Sequence, residues 1–239
     1  MPEVPAKRTT WPSRAAFARD VHAAAVMGGL DPLPAAILTA QSAHETGWGG
    51  KVYNFNMAGL KAREGWRKSR PYTVLGGSEC IDCKPGEEPS PECPPGQRLK
   101  GERMFWRAYD SLREGVDGVL ALLQADRYAK ARACLRAGDP WYFVQVGEDG
   151  WFSAGQDVYL WACSHHLAMV CATVGVDPPL AARLTTPDGR AELLAELRYG
   201  SVREMQQQLL GFTGRDADGD YGKATHFALL KLLRGPGAG

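Results

Sequence analysis

The sequence predicts a mainly α-helical fold with one small β-hairpin lobe, followed by a small helical unit at the C-terminal end. Three observations predict it. Apolar residues recur at helical spacing from Ser13 to about Thr46 and again from Ser111 to Val174. Between these regions, residues 63–107 lose that period and become rich in Gly, Pro and charge, with short β-like runs at Tyr72–Leu75 and Met104–Trp106. Asp177-Pro178-Pro179 then reads as a linker. The expected boundaries are 1–176 for the first unit, with its lobe at about 63–107, and 177–239 for the second.

Residues 1–12 read as an irregular lead-in. Ser13 can cap a helix running to Met27, with Phe17, Val21 and Ala25 on one face and Gly28-Gly29 as its stop. Asp31 as N-cap and Pro32 at the first helical position start the next helix, which Gly47, Gly49 and Gly50 end. Glu45 falls in its last turn, among free carbonyls that carry roughly half a negative charge. A carboxylate there is disfavoured as the anion, and burial against Trp48 would act the same way. A carboxyl group that keeps its proton near neutral pH is what a general acid needs. Beyond the lobe, Ser111 and Glu114 form a capping box ahead of the stripe Val116, Val119, Leu120 and Leu123. A last helix of the first unit spans about Asp157 to Val174.

Composition narrows the function. The net charge of +1, with 23% charged residues, gives no basic excess for nucleic acid. No stretch reaches the ~18 consecutive apolar residues of a membrane span. The N-terminal segment has no apolar core of a signal peptide, so a protein made in the cytoplasm and released by another route is expected. Of six cysteines, Cys134, Cys163 and Cys171 sit in apolar helical surroundings and read as core. Cys80, Cys83 and Cys93 share one loop segment. Three ligands of a structural zinc site, a disulfide, or free thiols all fit them, although no histidine stands nearby as a fourth ligand. His44-Glu45 is not a zinc-protease motif, because the second ligand position holds Trp48.

The run AQSAHETGWG followed by NFNMAGLKA resembles A-x-x-E-(S/T)-G-W-G … N-N-L-F-G-I-K-A, the signature of flagellar and autolysin-type β-N-acetylglucosaminidases that cut bacterial peptidoglycan. FWRAYDSLREGVDGVLALLQADRYAKA is similar to a second element of that family, and WFSAGQDVY more loosely to a third, with Phe152 where the first tyrosine is usual and Tyr159 where the second is. SVREMQQQLLGFTGRDADGDYGKATHFALLKLL resembles the three-helix peptidoglycan-binding module. The resemblance implies a lysozyme-like α+β catalytic domain with the hairpin closing over substrate, and a wall-binding C-terminal module. It implies Glu45 as general acid and Glu79 as second carboxylate, with Glu64 and Asp82 as fallbacks. Trp48, Tyr53, Asn54, Tyr109, Phe152 and Tyr159 become candidates for holding sugar rings. Peptidoglycan is the implied partner and no cofactor is needed beyond a possible structural zinc; a monomer of endolysin type, acting on the cell wall, is expected. A lytic transglycosylase or muramidase on the same polymer, and a non-catalytic wall-binding protein, are the alternatives.

Overall fold

The computed structural model describes residues 3–83, 86–91, 93, 95–152 and 155–235, with backbone alone for 77–81 and 99–103. The fold is mainly α. Helices α1 (Arg14–Met27) and α2 (Pro32–Thr46) pack against each other and against α7 (Gln156–Val174), which runs through the centre. Ser13 caps α1 by accepting from the Ala16 amide at 3.1 Å, and Gly47 ends α2 in the left-handed conformation. Asp31 stands at the N-cap of α2 without a side-chain bond; Pro at the first turn suffices to set the start. Helix α4 (Leu112–Leu122) is capped by Ser111, while Glu114 reaches back one residue further than a capping box requires, to the Asp110 amide at 3.1 Å. The core joins Phe17, Ile37, Leu38, Val116, Leu135, Tyr142, Phe143 and Leu160, all fully buried.

Two departures from expectation bear on the site. The lead-in is not irregular: β1 (Arg8–Thr9) pairs antiparallel with β2 (Val52–Tyr53), a ladder too short to leave a periodic signal. The lobe is a long hairpin of β3 (Tyr72–Asp82) and β4 (Gln97–Arg107), preceded by a short helix α3 (Glu64–Ser69). Glycines and charged residues in both outer halves hide the alternation that marks a strand. Cys93 is in a disulfide whereas Cys83 is a free thiol, so the three cysteines do not form one three-ligand zinc site. The Cys80 side chain lies outside the described residues.

Helices α5 (Ala129–Arg136) and α6 (Tyr142–Glu148) precede α7, and α8 (Leu180–Arg183) follows it. The C-terminal segment then contributes α9 (Pro187–Glu196), α10 (Val202–Gln208) and α11 (Lys223–Arg234) around a small core of Leu184, Leu193, Met205 and Leu229. It does not hang from a loose linker. Helix α11 lies on α7, with Phe227 against Trp141 and Arg234 paired to Asp139 at 3.1 Å. His226, fully buried in this contact, bonds Ser164 Oγ through Nε2 at 3.1 Å and faces Tyr221 and Trp161. Burial, with His165 nearby, lowers its pKa to about 3.

The unfolded chain therefore takes up a proton on His226 near pH 6.5 that the folded chain refuses until about pH 3. Stability falls as the pH drops through that window, by up to about 1.4 kcal/mol per pH unit from this group. Urea melts of His226→Gln between pH 7 and 4.5 are expected to show a shallower fall than the unsubstituted chain.

Candidate functional site

Glu45 sits in the penultimate position of α2, half-buried, at the floor of an open cleft of about 440 Å³. Lys51, Tyr53, Asn56 and Gly59 line one side, and Leu75, Gly76, Met104 and Trp106 of the hairpin line the other. Glu45 is the one carboxylate among the described lining residues. The helix reaches this point because three successive residues after it, Gly47, Trp48 and Gly49, turn with positive φ. Gly49 is obligatory there: a Cβ would stand 2.5 Å from the Trp11 ring.

One oxygen of Glu45 is already committed. The Tyr159 hydroxyl donates to Oε1 at 2.6 Å. Tyr159 is buried, stacked on Phe152 at 3.9 Å with its edge against the His44 ring at 4.8 Å. Burial, with the neighbouring Cys163 and the Glu45 charge adding to it, pushes its phenol well above the usual value, so it stays a donor. Beneath it, Tyr142 donates to Gln41 Oε1, and the Gln41 amide nitrogen is buried with no partner among the described residues. Burial, then Cys163 and Glu45, raises Tyr142, and burial with the Glu45 charge raises Cys163. The phenols and thiol under Glu45 are thus neutral at ordinary pH. His166, behind Trp48, is lowered to about 4 by burial and by His44, His165 and Arg14, and is neutral as well.

The other sequence candidates fall in different places. Tyr53 lines the cleft. Trp48 does not: its ring packs on Phe17 and His166 with the Arg14 guanidinium over it. Asn54 is a latch for the N-terminal segment, accepting from the Lys7 amide at 2.9 Å and donating to the Pro5 carbonyl at 3.1 Å. Tyr109 is half-buried, edge-on to Trp66, and desolvation raises its phenol. Phe152 backs Tyr159 and fills the space above Gly147. Glu64 pairs with Lys68 on the surface, and Asp82 accepts from Gln97 near the hairpin tip. Position 79 pairs with Lys100 and shares strand parity with Leu75, but the Glu79 side chain lies outside the described residues. Met104 and Trp106 escaped sequence reasoning as site residues. Their signal is the strand alternation in MFWR, which puts both on the face of Leu75.

No protein-family model matches the chain. No curated protein matches it either. Among solved structures the chain is similar to a C-terminally truncated glycoside hydrolase domain of FlgJ from Salmonella typhimurium, at 21% identity and TM-score 0.47, over 67% of this chain and 99% of that one. It is also similar to a peptidoglycan hydrolase mutant from Sphingomonas sp. A1 (21% identity, TM-score 0.42, 70% and 94% covered). A third is the catalytic domain of the autolysin Auto from Listeria monocytogenes (16% identity, TM-score 0.44, 70% and 89% covered).

Proposed function

We infer that the chain is a glycoside hydrolase of peptidoglycan that cuts the β-1,4 bond on the reducing side of N-acetylglucosamine, with Glu45 as the general acid. The observation that carries this reading is the held carboxyl group of Glu45 in an open cleft, at the position the signature reserves for a catalytic glutamate. With Oε1 accepting from Tyr159, the second oxygen is left to carry the proton and deliver it to the glycosidic oxygen. Trp106, Met104 and Tyr53 offer apolar faces to sugar rings. Carboxylate chemistry of this kind needs no metal. The second group is Glu79, brought in from the hairpin, or the substrate's own N-acetyl oxygen. The C-terminal helices act as the wall-binding module, and the protein works as a monomer on the cell wall.

Digestion of purified sacculi followed by mass spectrometry of the products tests the reading. New N-acetylglucosamine reducing ends are expected. New muramic reducing ends or anhydro-sugar ends overturn the bond assignment, and no release overturns the activity. Trp106→Ala is expected to raise KM about tenfold, a loss in the range of one aromatic contact; steady-state assays on soluble glycan strands check it.

A further inference from the structure

A second feature adjoins the Glu45 cleft at Gly59. Two hollows, of about 480 and about 300 Å³, share Arg63, Arg107 and Leu122 and so form one groove. The smaller shares Gly59 with the Glu45 cleft, so the groove begins beside the cleft at the Gly59 edge, with Arg107 on the opposite face of β4 from Trp106. Its lining includes Arg63, Arg70, Arg107 and Arg127 and, among the described residues, no acidic one. In a chain of net charge +1 that is a concentrated cationic patch.

These arginines are not spent on internal ion pairs. Among the described residues, none of the four is bridged to a carboxylate. Asp149, which lies close enough to Tyr128 to influence it, faces Gln145 instead. Three of the guanidinium groups are held by rings: Arg107 and Arg70 lie 4.3 and 4.9 Å from the centre of Trp66, and Arg127 lies 4.5 Å from that of Tyr128. Arg107 Nε is buried and, among the described residues, has no hydrogen-bond partner, while the guanidinium stands beside the Tyr109 phenol. A guanidinium stacked on an aromatic face loses little by binding, because its orientation is already set. Its N–H edge stays open to a planar anion in a bidentate fork. The groove thus suits carboxylates, one after another along a strand, better than a single compact ion.

We propose that this arginine-lined groove binds the carboxylates of the peptide stems carried by the glycan strand in the Glu45 cleft. The inference rests on the peptidoglycan reading above and deepens it. A stem of four or five residues extends roughly 13–17 Å, enough to leave the cleft past Gly59 and lie along the groove. The protein would then prefer strands that still carry stems over strands from which an amidase has removed them.

The experiment compares both substrates with the full-length chain. Unsubstituted protein is expected to show a KM about tenfold lower on stem-bearing strands than on stripped strands, with similar kcat. Arg63→Gln combined with Arg127→Gln, both at exposed positions, is expected to raise the first KM to the second and leave the constants on stripped strands unchanged. High salt should erode the preference in the same way. A preference that survives the double substitution, or an equal loss on both substrates, overturns the proposal. A binding arm separates this from failure of the glycosidase reading. Free stem peptide should bind the unsubstituted chain, its fully amidated form should not, and the double variant should bind neither. If strands are not cut at all but this pattern holds, the groove stands and the hydrolase reading falls. Binding of a phosphodiester wall polymer through the same arginines, without binding of stem peptide, overturns the groove's assignment.

Discussion

Glu45→Gln is expected to lower the rate of wall lysis about 10²- to 10⁴-fold while leaving the fold unchanged, the range that a positioned general acid contributes. The substitution is close to a pure test of proton delivery. Glutamine has the same shape, and its Oε1 can still accept from the Tyr159 hydroxyl that now bonds the carboxyl group at 2.6 Å. What it cannot do is release a proton to a departing sugar oxygen. Circular dichroism and thermal melting should superimpose on those of the unsubstituted chain, since Glu45 is half-buried and has no ion-pair partner among the described residues. Turbidity loss of permeabilised cells and release of reducing ends from sacculi give the rate. Undiminished lysis would remove Glu45 from the chemistry. Binding of Glu45→Gln to sacculi, measured by pull-down, is expected to be preserved, which separates loss of turnover from loss of attachment.

Helix ends were the most legible part of the chain, because they depend on neighbours in sequence. Ser13, Pro32, Gly47 and Ser111 each act within three residues of where they stand, and the structure begins or ends its helices beside them. Glu45 was legible for the same reason, as a position on a helix with a defined stop. What surrounds it was not. Its hydroxyl partner is 114 residues away on α7, and the cleft wall comes from β3 and β4, so no local spacing encodes the contact. Trp48 shows the converse. Its closeness in sequence to Glu45 suggests a shared pocket, yet the positive φ at Gly47 and Trp48 turns the ring to the other side of α2, against Phe17 and His166. Asn54 likewise belongs to a latch whose other half, Pro5 and Lys7, shows no motif. The hairpin was read at its base, where Tyr72–Leu75 and Met104–Trp106 alternate, and lost where Gly76, Gly77 and Gly101 erase the pattern. Docking of α11 on α7 depends on one buried histidine and two aromatic contacts, none of which announces itself in a helix that also carries Lys223, Lys231 and Arg234.

Gly115→Ala should be the most damaging added methyl among the described glycines, costing about 3 kcal/mol of stability and roughly 10 °C in Tm. A Cβ at Gly115 would stand 1.9 Å from the carbonyl oxygen of Phe55 and 3.1 Å from its carbonyl carbon, and a backbone carbonyl cannot swing aside as a side chain does. The Phe55 backbone has little freedom to yield. Asn54 and Phe55 both hold positive φ, of 48° and 51°, and the turn is pinned by the Asn54 bonds to Lys7 and Pro5 and by the Tyr109 amide donating to the Asn54 carbonyl at 2.9 Å. Phe55 in that conformation already costs about 1–2 kcal/mol, which close seating on α4 offsets. Because Tyr53 and Asn56 flank this turn and line the Glu45 cleft, pushing Phe55 off the helix should also displace the cleft wall. Turnover at a temperature where Gly115→Ala is still folded should therefore fall as well. Gly65→Ala is the control: its Cβ meets nothing within 4 Å, it lies in α3 where alanine is the better helix former, and its Tm should hold or rise slightly. Calorimetry of the two variants at neutral pH decides the matter: a Gly115→Ala midpoint within two degrees of Gly65→Ala would mean that α4 and the Phe55 turn are not in contact.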